Sequence, residues 1–413
     1  MVLGFSAMLP VGLIGLASIL VLVYSAEVVV SKMQGVAKYY GVSEVVIAMT
    51  IVSIGTSLPE LSLHIVGSFD ILLSDVNVLS YMLGQPLSFL LDSFGVVLTP
   101  EAVTSFQNTS ATVLGSNIGS DVVQQTLVLG LVIVFSALLA DRHSFNFSRK
   151  FLIRDYAPMM GTTLMTLILA LNWQNIVNFL TGGAQLAAGG TLTRLDGLVL
   201  VGSFVAYIYY LYTTRKEELA EQGDGEASRR PRMDFAIGIL AMFFVIGSAE
   251  IFLDVVEVLI AQTGLSGSMI GVASVGVVSA FPEMITAISG LRQGSEGISL
   301  GTLVGSNITN PLLAIGLGST LSTYAVPGPL VLWDLPMETI TAGVLLTYMF
   351  SKDAIGDFLG KWARMAGFEG LAERFEAMEN RVISIAGAGL LVVLYFVYLY
   401  VRFRYFKYDF IGG

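Results

Sequence analysis

A proline followed directly by a glutamate occurs twice inside long apolar stretches of this chain, in matching surroundings. The first copy reads Gly55-Thr56-Ser57-Leu58-Pro59-Glu60 and the second Val278-Ser279-Ala280-Phe281-Pro282-Glu283, 223 residues later. At the same offset Ser25-Ala26-Glu27 recurs as Ser248-Ala249-Glu250, and Gly41 as Gly264. Gly115-Ser116-Asn117-Ile118 recurs as Gly305-Ser306-Asn307-Ile308 after only 190 residues. The difference of 33 residues is one insertion in the first half, placed within 70–108. The chain is therefore a duplication, and each copy carries a carboxylate where a folded apolar segment must find something to neutralise it.

Composition makes the apolar segments membrane spans. Charged residues are 13% of the chain and hydrophobic ones 54%, with mean hydropathy +0.77, against about 25% charged in a soluble domain. The first apolar run has no basic segment before it and reads as a first span, not a cleaved signal. With no cysteine, disulfides, thiolate metal ligation and cysteine catalysis are excluded. The two histidines, His64 and His143, are too few for a zinc cluster. No cofactor is expected, and no nucleophile with a matching base is visible, so the chain is not read as an enzyme.

A helix crosses a bilayer in roughly 20 apolar residues. Such stretches fall at 8–30, 43–68, 111–139, 155–172, 195–214, 234–260, 267–290, 298–320, 334–350 and 382–403. Lys and Arg collect in cytoplasmic loops. With the N-terminus outside, 17 of the 21 basic residues fall in inward loops. Arg194, Arg402, Arg404 and Lys407 are the exceptions, and the last three are read as snorkelling from the end of the last helix. Both termini are then outside a multi-pass cell-membrane protein. Five spans per half is odd, so the halves must be inserted in opposite senses, an arrangement that places a binding site near the midplane where broken helices meet. The fold expected is an all-α polytopic membrane protein: ten transmembrane helices in two inverted five-helix repeats, with discontinuous second and seventh helices. The first repeat is 1–214, the cytoplasmic linker 215–233 and the second repeat 234–413.

Two further segments stand out. The outward insertion 70–108 holds Asp70, Asp75, Asp92 and Glu101 and no Lys or Arg. Segment 352–381 spaces Ile355, Phe358, Leu359, Trp362, Met365, Phe368 and Leu371 three and four apart, as an amphipathic helix on the inner membrane surface does.

A proline within a span removes a backbone hydrogen bond and frees carbonyls in the turn before it, tolerated in lipid only where they line a protein cavity. Thr56, Ser57 and Ser279 stand beside Glu60 and Glu283, and the carbonyls of Ser53 and Gly276 lie a turn earlier. Oxygen donors of this kind suit hard cations such as Ca²⁺ and Na⁺. An unpaired mid-span acid is costly, and no Lys or Arg lies in these central spans, so a cation or a proton must balance each glutamate. Ser116, Asn117, Ser120, Ser306, Asn307 and Asn310 open the third and eighth spans, where they either pack small or line the same cavity. Glu27 and Glu250 serve either an ion path or hydrogen bonds to neighbouring helices. His64, one turn beyond Glu60, is a packing residue or a proton-coupling one.

Ile54-Gly55-Thr56-Ser57-Leu58-Pro59-Glu60-Leu61, with Gly115-Ser116-Asn117-Ile118 and Gly305-Ser306-Asn307-Ile308-Thr309-Asn310, resembles the alpha repeats of the calcium/cation antiporter superfamily, and most nearly the prokaryotic sodium/calcium exchangers. The resemblance covers both halves but not 70–108 or 352–381. It implies that Glu60 and Glu283 bind Ca²⁺ and that Thr56, Ser57, Ser116, Ser279, Ser306 and Asn310 complete Ca²⁺ and Na⁺ sites. The chain departs from the family pattern at Ala280, where a hydroxyl is usual, at Ser120, where Asn is common, and at Asn310, where many members carry Asp. The function expected is exchange of Ca²⁺ for Na⁺ by alternating access. The alternative is a divalent cation/H⁺ antiporter, with a cation channel ranked below both. The partners expected are inorganic cations and the lipid bilayer, with no nucleic acid; nothing in the sequence speaks to oligomeric state.

Overall fold

The computed structural model describes residues 5–41, 44–74, 100–140, 144–171, 189–214, 228–260, 266–376 and 382–409. Helices carry nearly all of them. In chain order these are α1 (Phe5–Tyr40), α2 (44–56), α3 (Leu58–Ser74), α4 (100–140), α5 (149–171), α6 (Arg194–Thr214) and α7 (Pro231–Ile260). Then come α8 (267–279), α9 (Phe281–Arg292), α10 (Glu296–Leu321), α11 (330–365), α12 (Glu369–Glu376) and α13 (Ile385–Tyr405). Among the described residues eight helices are long and apolar enough to cross a membrane, and α2 with α3, bent by 44°, make a ninth if they are one span. The expected span 155–172 is helical as part of α5, but Arg154 and Asp155 within that helix dilute its apolar character.

Beside an apolar core, the helices bury many polar residues and present large apolar ones outward. Ser53, Thr56, Ser120, Gln124, Thr302 and Asn310 are buried, while Leu195, Val205, Tyr209, Leu390, Phe396 and Tyr400 on α6 and α13 are exposed. Lipid is as apolar as a leucine side chain, so burial of apolar groups gives no preference for the interior; packing and hydrogen bonding decide it.

The local geometry repeats with the sequence. In α2 a π-turn over Ala48–Val52 leads into Ser53–Thr56 and then a turn at Ser57. In α8 a π-turn over Gly271–Val275 leads into Gly276–Ser279 and a turn at Ala280, each position 223 residues further on. The second break is milder, so that α8 and α9 run on as one of the eight long helices.

Glycine explains how these helices nest. Helix α8 packs along α4, and α2 along α10. A Cβ on Gly119 would stand 2.6 Å from Cα of Val272, and one on Gly305 2.7 Å from Cα of Met49. In the recurring Gly-Ser-Asn-Ile the glycines provide the close approach in both copies, since a Cβ on Gly115 would stand 2.8 Å from the Ser268 carbonyl oxygen.

Two short ribbons, not anticipated from the sequence, join distant parts of the chain. Strand β1 (Ser144–Asn146) pairs antiparallel with β4 (Val382–Ser384), and β2 (Gly189–Leu192) with β3 (Tyr324–Pro327).

Three expectations change. The insertion 70–108 is partly helical, since α3 reaches Ser74 and α4 starts at Pro100; residues 75–99, with Asp75 and Asp92, lie outside the described residues. Segment 352–381 is not a separate helix: α11 continues through it to Met365, turns at Gly367 (φ 80°), and resumes as α12. Phe358, Trp362, Met365 and Phe368 are exposed there as the spacing requires, and 377–381 lie outside the described residues. Arg402 does not snorkel. It is fully buried and paired with Asp334 at 2.9 Å, because α13 faces α11 with an acid there, a partner no local pattern announces.

Candidate cation site

The site is built where two helices break. Pro59 and Pro282 have no N–H to give the carbonyls of Gly55 and Val278, one turn back. Each break is followed by a new helix whose first turn holds the glutamate, Glu60 in α3 and Glu283 in α9. Free N–H groups and the positive end of the helix dipole favour a carboxylate at that place. The Ser53 and Gly276 carbonyls, the backbone oxygens named as candidate ligands, are engaged within their own helices. Ser53 O accepts from Ser57 N at 3.0 Å and Gly276 O from Ala280 N at 3.2 Å, and each also accepts a hydroxyl, from Thr56 and Ser279, at 3.3 Å. The helices remain bonded right up to the turn.

The two glutamates are 1% and 0% exposed and interact with each other's charge. Glu60 Oε1 accepts from Ser120 Oγ at 2.9 Å, while its Oε2 and both oxygens of Glu283 have no hydrogen-bond partner. Hydroxyls cross between the copies: Ser279 lies against Glu60, and Thr56 and Ser57 lie against Glu283. Ser57 Oγ and Ser116 Oγ, also buried, have no partner of their own. Buried polar atoms are nearly always satisfied, so a group of unsatisfied oxygens on one spot is the signature of something that binds there. Among the described residues no three His, Asp or Glu side chains converge to hold a metal by themselves. Carboxylates would have to be joined by hydroxyl, amide and carbonyl oxygens, a donor set that suits Ca²⁺ or Na⁺.

Around this centre the amides form a relay between α4 and α10. Gln124 Nε2 donates to Ser120 Oγ at 3.1 Å, and Gln124 Oε1 accepts from Asn307 Nδ2 at 2.9 Å and from Ser306 Oγ. Gln125 Nε2 donates to Asn307 Oδ1 at 2.9 Å. Ser306 and Asn307 thus hold the wall of the site and do not reach the glutamates through these bonds. Ser53 Oγ bonds Thr309 Oγ1 at 3.0 Å, tying α2 to α10. Asn117 Nδ2 reaches the Asn310 carbonyl at 3.4 Å, and Asn310 Nδ2 donates to Asp121 Oδ1 at 2.7 Å.

Sequence reasoning missed Asp121, Gln124, Gln125 and Glu338, all buried. The signal was present for Asp121, an acid inside a span with no basic residue near it. His64 bonds Tyr324 OH through Nδ1 at 3.1 Å, and Ser68 joins that hydroxyl at 2.7 Å, so it anchors β3 to α3. Glu27 pairs with Arg292, both part-exposed; the Glu250 side chain lies outside the described residues.

The sequence profile of the sodium/calcium exchanger protein family matches residues 11–213 and 233–404. The sodium/calcium exchanger MaX1 of Methanosarcina acetivorans is 24% identical over 82% of this chain and 90% of its own length. The inner membrane protein YrbG of Escherichia coli is 25% identical over 77% of this chain and 80% of its own length. An uncharacterised membrane protein of Methanocaldococcus jannaschii is 23% identical, covering 84% and 91%. The fold matches that of the sodium-calcium exchanger NCX_Mj, soaked with 10 mM Na⁺ and no Ca²⁺, with a TM-score of 0.60 at 16% identity over 97% of this chain and 99% of the other. On a profile match that spans nearly the whole sequence, the chain belongs to the sodium/calcium exchanger family of membrane antiporters.

Proposed function

We propose that the protein exchanges Ca²⁺ for Na⁺ across the cell membrane by alternating access. Ca²⁺ binds between Glu60 and Glu283, assisted by Thr56, Ser57, Ser279 and Ser120, and Na⁺ re-uses part of the same oxygens together with Ser116. One divalent ion balances two glutamates, and the empty, doubly negative site crosses poorly because charge in a membrane interior is costly. That asymmetry couples the two fluxes. The observation that carries the reading is the pair of fully buried glutamates with three unpartnered oxygens, each facing hydroxyls of the other repeat.

The arrangement follows from two inverted five-helix repeats, 1–214 and 234–413, joined by a cytoplasmic linker, 215–233, with both termini outside. The glutamates then meet near the midplane, and rocking of one bundle against the other exposes them to each side in turn. A divalent cation/H⁺ exchange is the second reading, favoured by Asn310 and Ala280 where the family carries more charge and hydroxyl, and by the buried, unpartnered Nε2 of His64 near Glu60.

The test is uptake of labelled Ca²⁺ by the reconstituted protein in Na⁺-loaded vesicles, beside K⁺-loaded vesicles at clamped pH. Uptake that needs internal Na⁺, and that Glu60→Gln or Glu283→Gln abolishes, is the expected result. Uptake that ignores Na⁺ and follows an imposed pH gradient would establish the second reading. Wild-type flux in either glutamine variant would remove the glutamates from the site.

A further inference from the structure

We propose that Asp121 and Glu338 form a second hard-cation site beside the glutamate pair, completed by the side-chain oxygen of Asn310. The proposal rests on the reading of Glu60 and Glu283 as cation ligands, since the two sites share one interior.

Asp121 lies on α4 and Glu338 on α11, 1% and 2% exposed. Helix α4 packs against α11, and Asp121 interacts with the charge of Glu338 as well as with those of Glu60 and Glu283. The fully buried Arg402 is already engaged by Asp334. Four carboxylates therefore share one interior, and a single divalent ion at Glu60 and Glu283 balances only two of them. Leaving the other two charged and uncompensated is prohibitive in a medium of low dielectric constant.

The surroundings of the second pair point to a ligand. Asn310 uses its Nδ2 to hold Asp121 Oδ1 at 2.7 Å, which sets its amide beside that carboxylate. That Oδ1 has no partner although Asn310 is fully buried, and Glu338 Oε1 has none either. Both residues sit beside irregular helix: a π-turn starts at Asn310, and another over Leu330–Asp334 leads into the helix that carries Glu338. Such turns recur at functional sites because they free backbone groups. Carboxylate and amide oxygens without nitrogen or sulfur are the donors of Na⁺ and Ca²⁺.

The experiment is equilibrium binding of labelled Na⁺ and, separately, labelled Ca²⁺ to the purified full-length protein at neutral pH. Asp121→Asn and Glu338→Gln are each expected to lower the saturating amount of one of the two ions by one per protein, or its affinity by about tenfold or more. Which ion is lost assigns the site to a monovalent or a divalent cation. Glu60→Gln/Glu283→Gln should keep one bound cation, and adding Glu338→Gln should remove it. Glu338→Asp, which keeps the carboxylate, should retain the wild-type count and serves as the variant if Glu338→Gln fails to fold. The proposal is overturned if Asp121→Asn and Glu338→Gln bind both ions as the wild type does, for the acids then carry protons. If instead Glu60→Gln/Glu283→Gln keeps the full wild-type count, the primary-site reading fails, independently of the result at Glu338.

Discussion

Arg402→Met should destabilise the protein by about 3–5 kcal/mol, and replacing its partner as well should recover much of that. Arg402 and Asp334 are both fully buried, with Nε and Oδ2 2.9 Å apart. For unit charges at that separation the attraction is about 6 kcal/mol at an effective dielectric constant of about 20. Desolvation of both groups offsets most of it in the intact pair. Truncating one partner leaves the desolvation of the other in place. Asp334 would keep only the Tyr398 hydroxyl, at 2.7 Å, while Arg402 also reaches Ser268, which Asp409 holds in turn. Without the guanidinium, Asp334 and Asp409 repel each other with no cation between them. Asp334→Leu should cost less than Arg402→Met, because Asp409 remains to balance the arginine. The double variant Asp334→Leu/Arg402→Met should cost at least about 2 kcal/mol less than the sum of the singles, within the coupling range of buried pairs. Unfolding in mixed micelles, titrated with dodecyl sulfate, measures this. Trp333 stacks on Tyr398 at 6.1 Å and on Phe406 at 5.7 Å, so its fluorescence reports the region directly. Trp173→Phe and Trp362→Phe isolate the signal. Additive costs, or a cost for Arg402→Met below about 1 kcal/mol, would refute the reasoning.

Gly119→Ala should cost about 1–3 kcal/mol by overpacking, because the added methyl meets the backbone of Val272, which cannot step aside. Gly161→Ala, where nothing lies within 4 Å, should be neutral or slightly stabilising in the same unfolding titration. Ser120→Ala removes the hydroxyl that holds Glu60, and a hydrogen bond to a charged group contributes about 1.5–3 kcal/mol. Its half-saturation for Ca²⁺ uptake should therefore rise by roughly tenfold or more, with the amount of folded protein unchanged. Tyr324→Phe leaves Ser68 and His64 without their shared partner and should lower stability by about 1–3 kcal/mol without altering ion selectivity in vesicles.

The parts of the candidate site that were legible in the sequence are those whose residues are improbable in a span. Glu60 and Glu283 stood out because a proline precedes each and no basic residue lies near, and Thr56, Ser57 and Ser279 followed from being adjacent. Asp121 also lacks a basic neighbour, but no proline precedes it and it sits beside a run of small residues, which drew attention to packing. Glu338 lies close to the expected start of its span, where an acid reads as an interfacial residue. Gln124 and Gln125 are neutral and carry no periodic mark, and their importance comes from facing α10, a relation set by how glycine lets helices nest. The partner of Arg402 was invisible for the same reason: Asp334 is 68 residues away. The four strands are three or four residues long, too short for alternation to show.

The two ribbons have a consequence for how the chain is made. Strand β1 finds its hydrogen-bond partner only at Val382–Ser384, far later in the chain, and β2 finds its own at Tyr324–Pro327. Until then both present open edges, which invite pairing with other chains. The segments that carry β1 and β2 therefore cannot be finished in the membrane before those that carry β3 and β4 arrive and close on them like a latch. Synthesised as two separate polypeptides, the portions should be unstable singly and yield a folded protein only when both are present in one membrane.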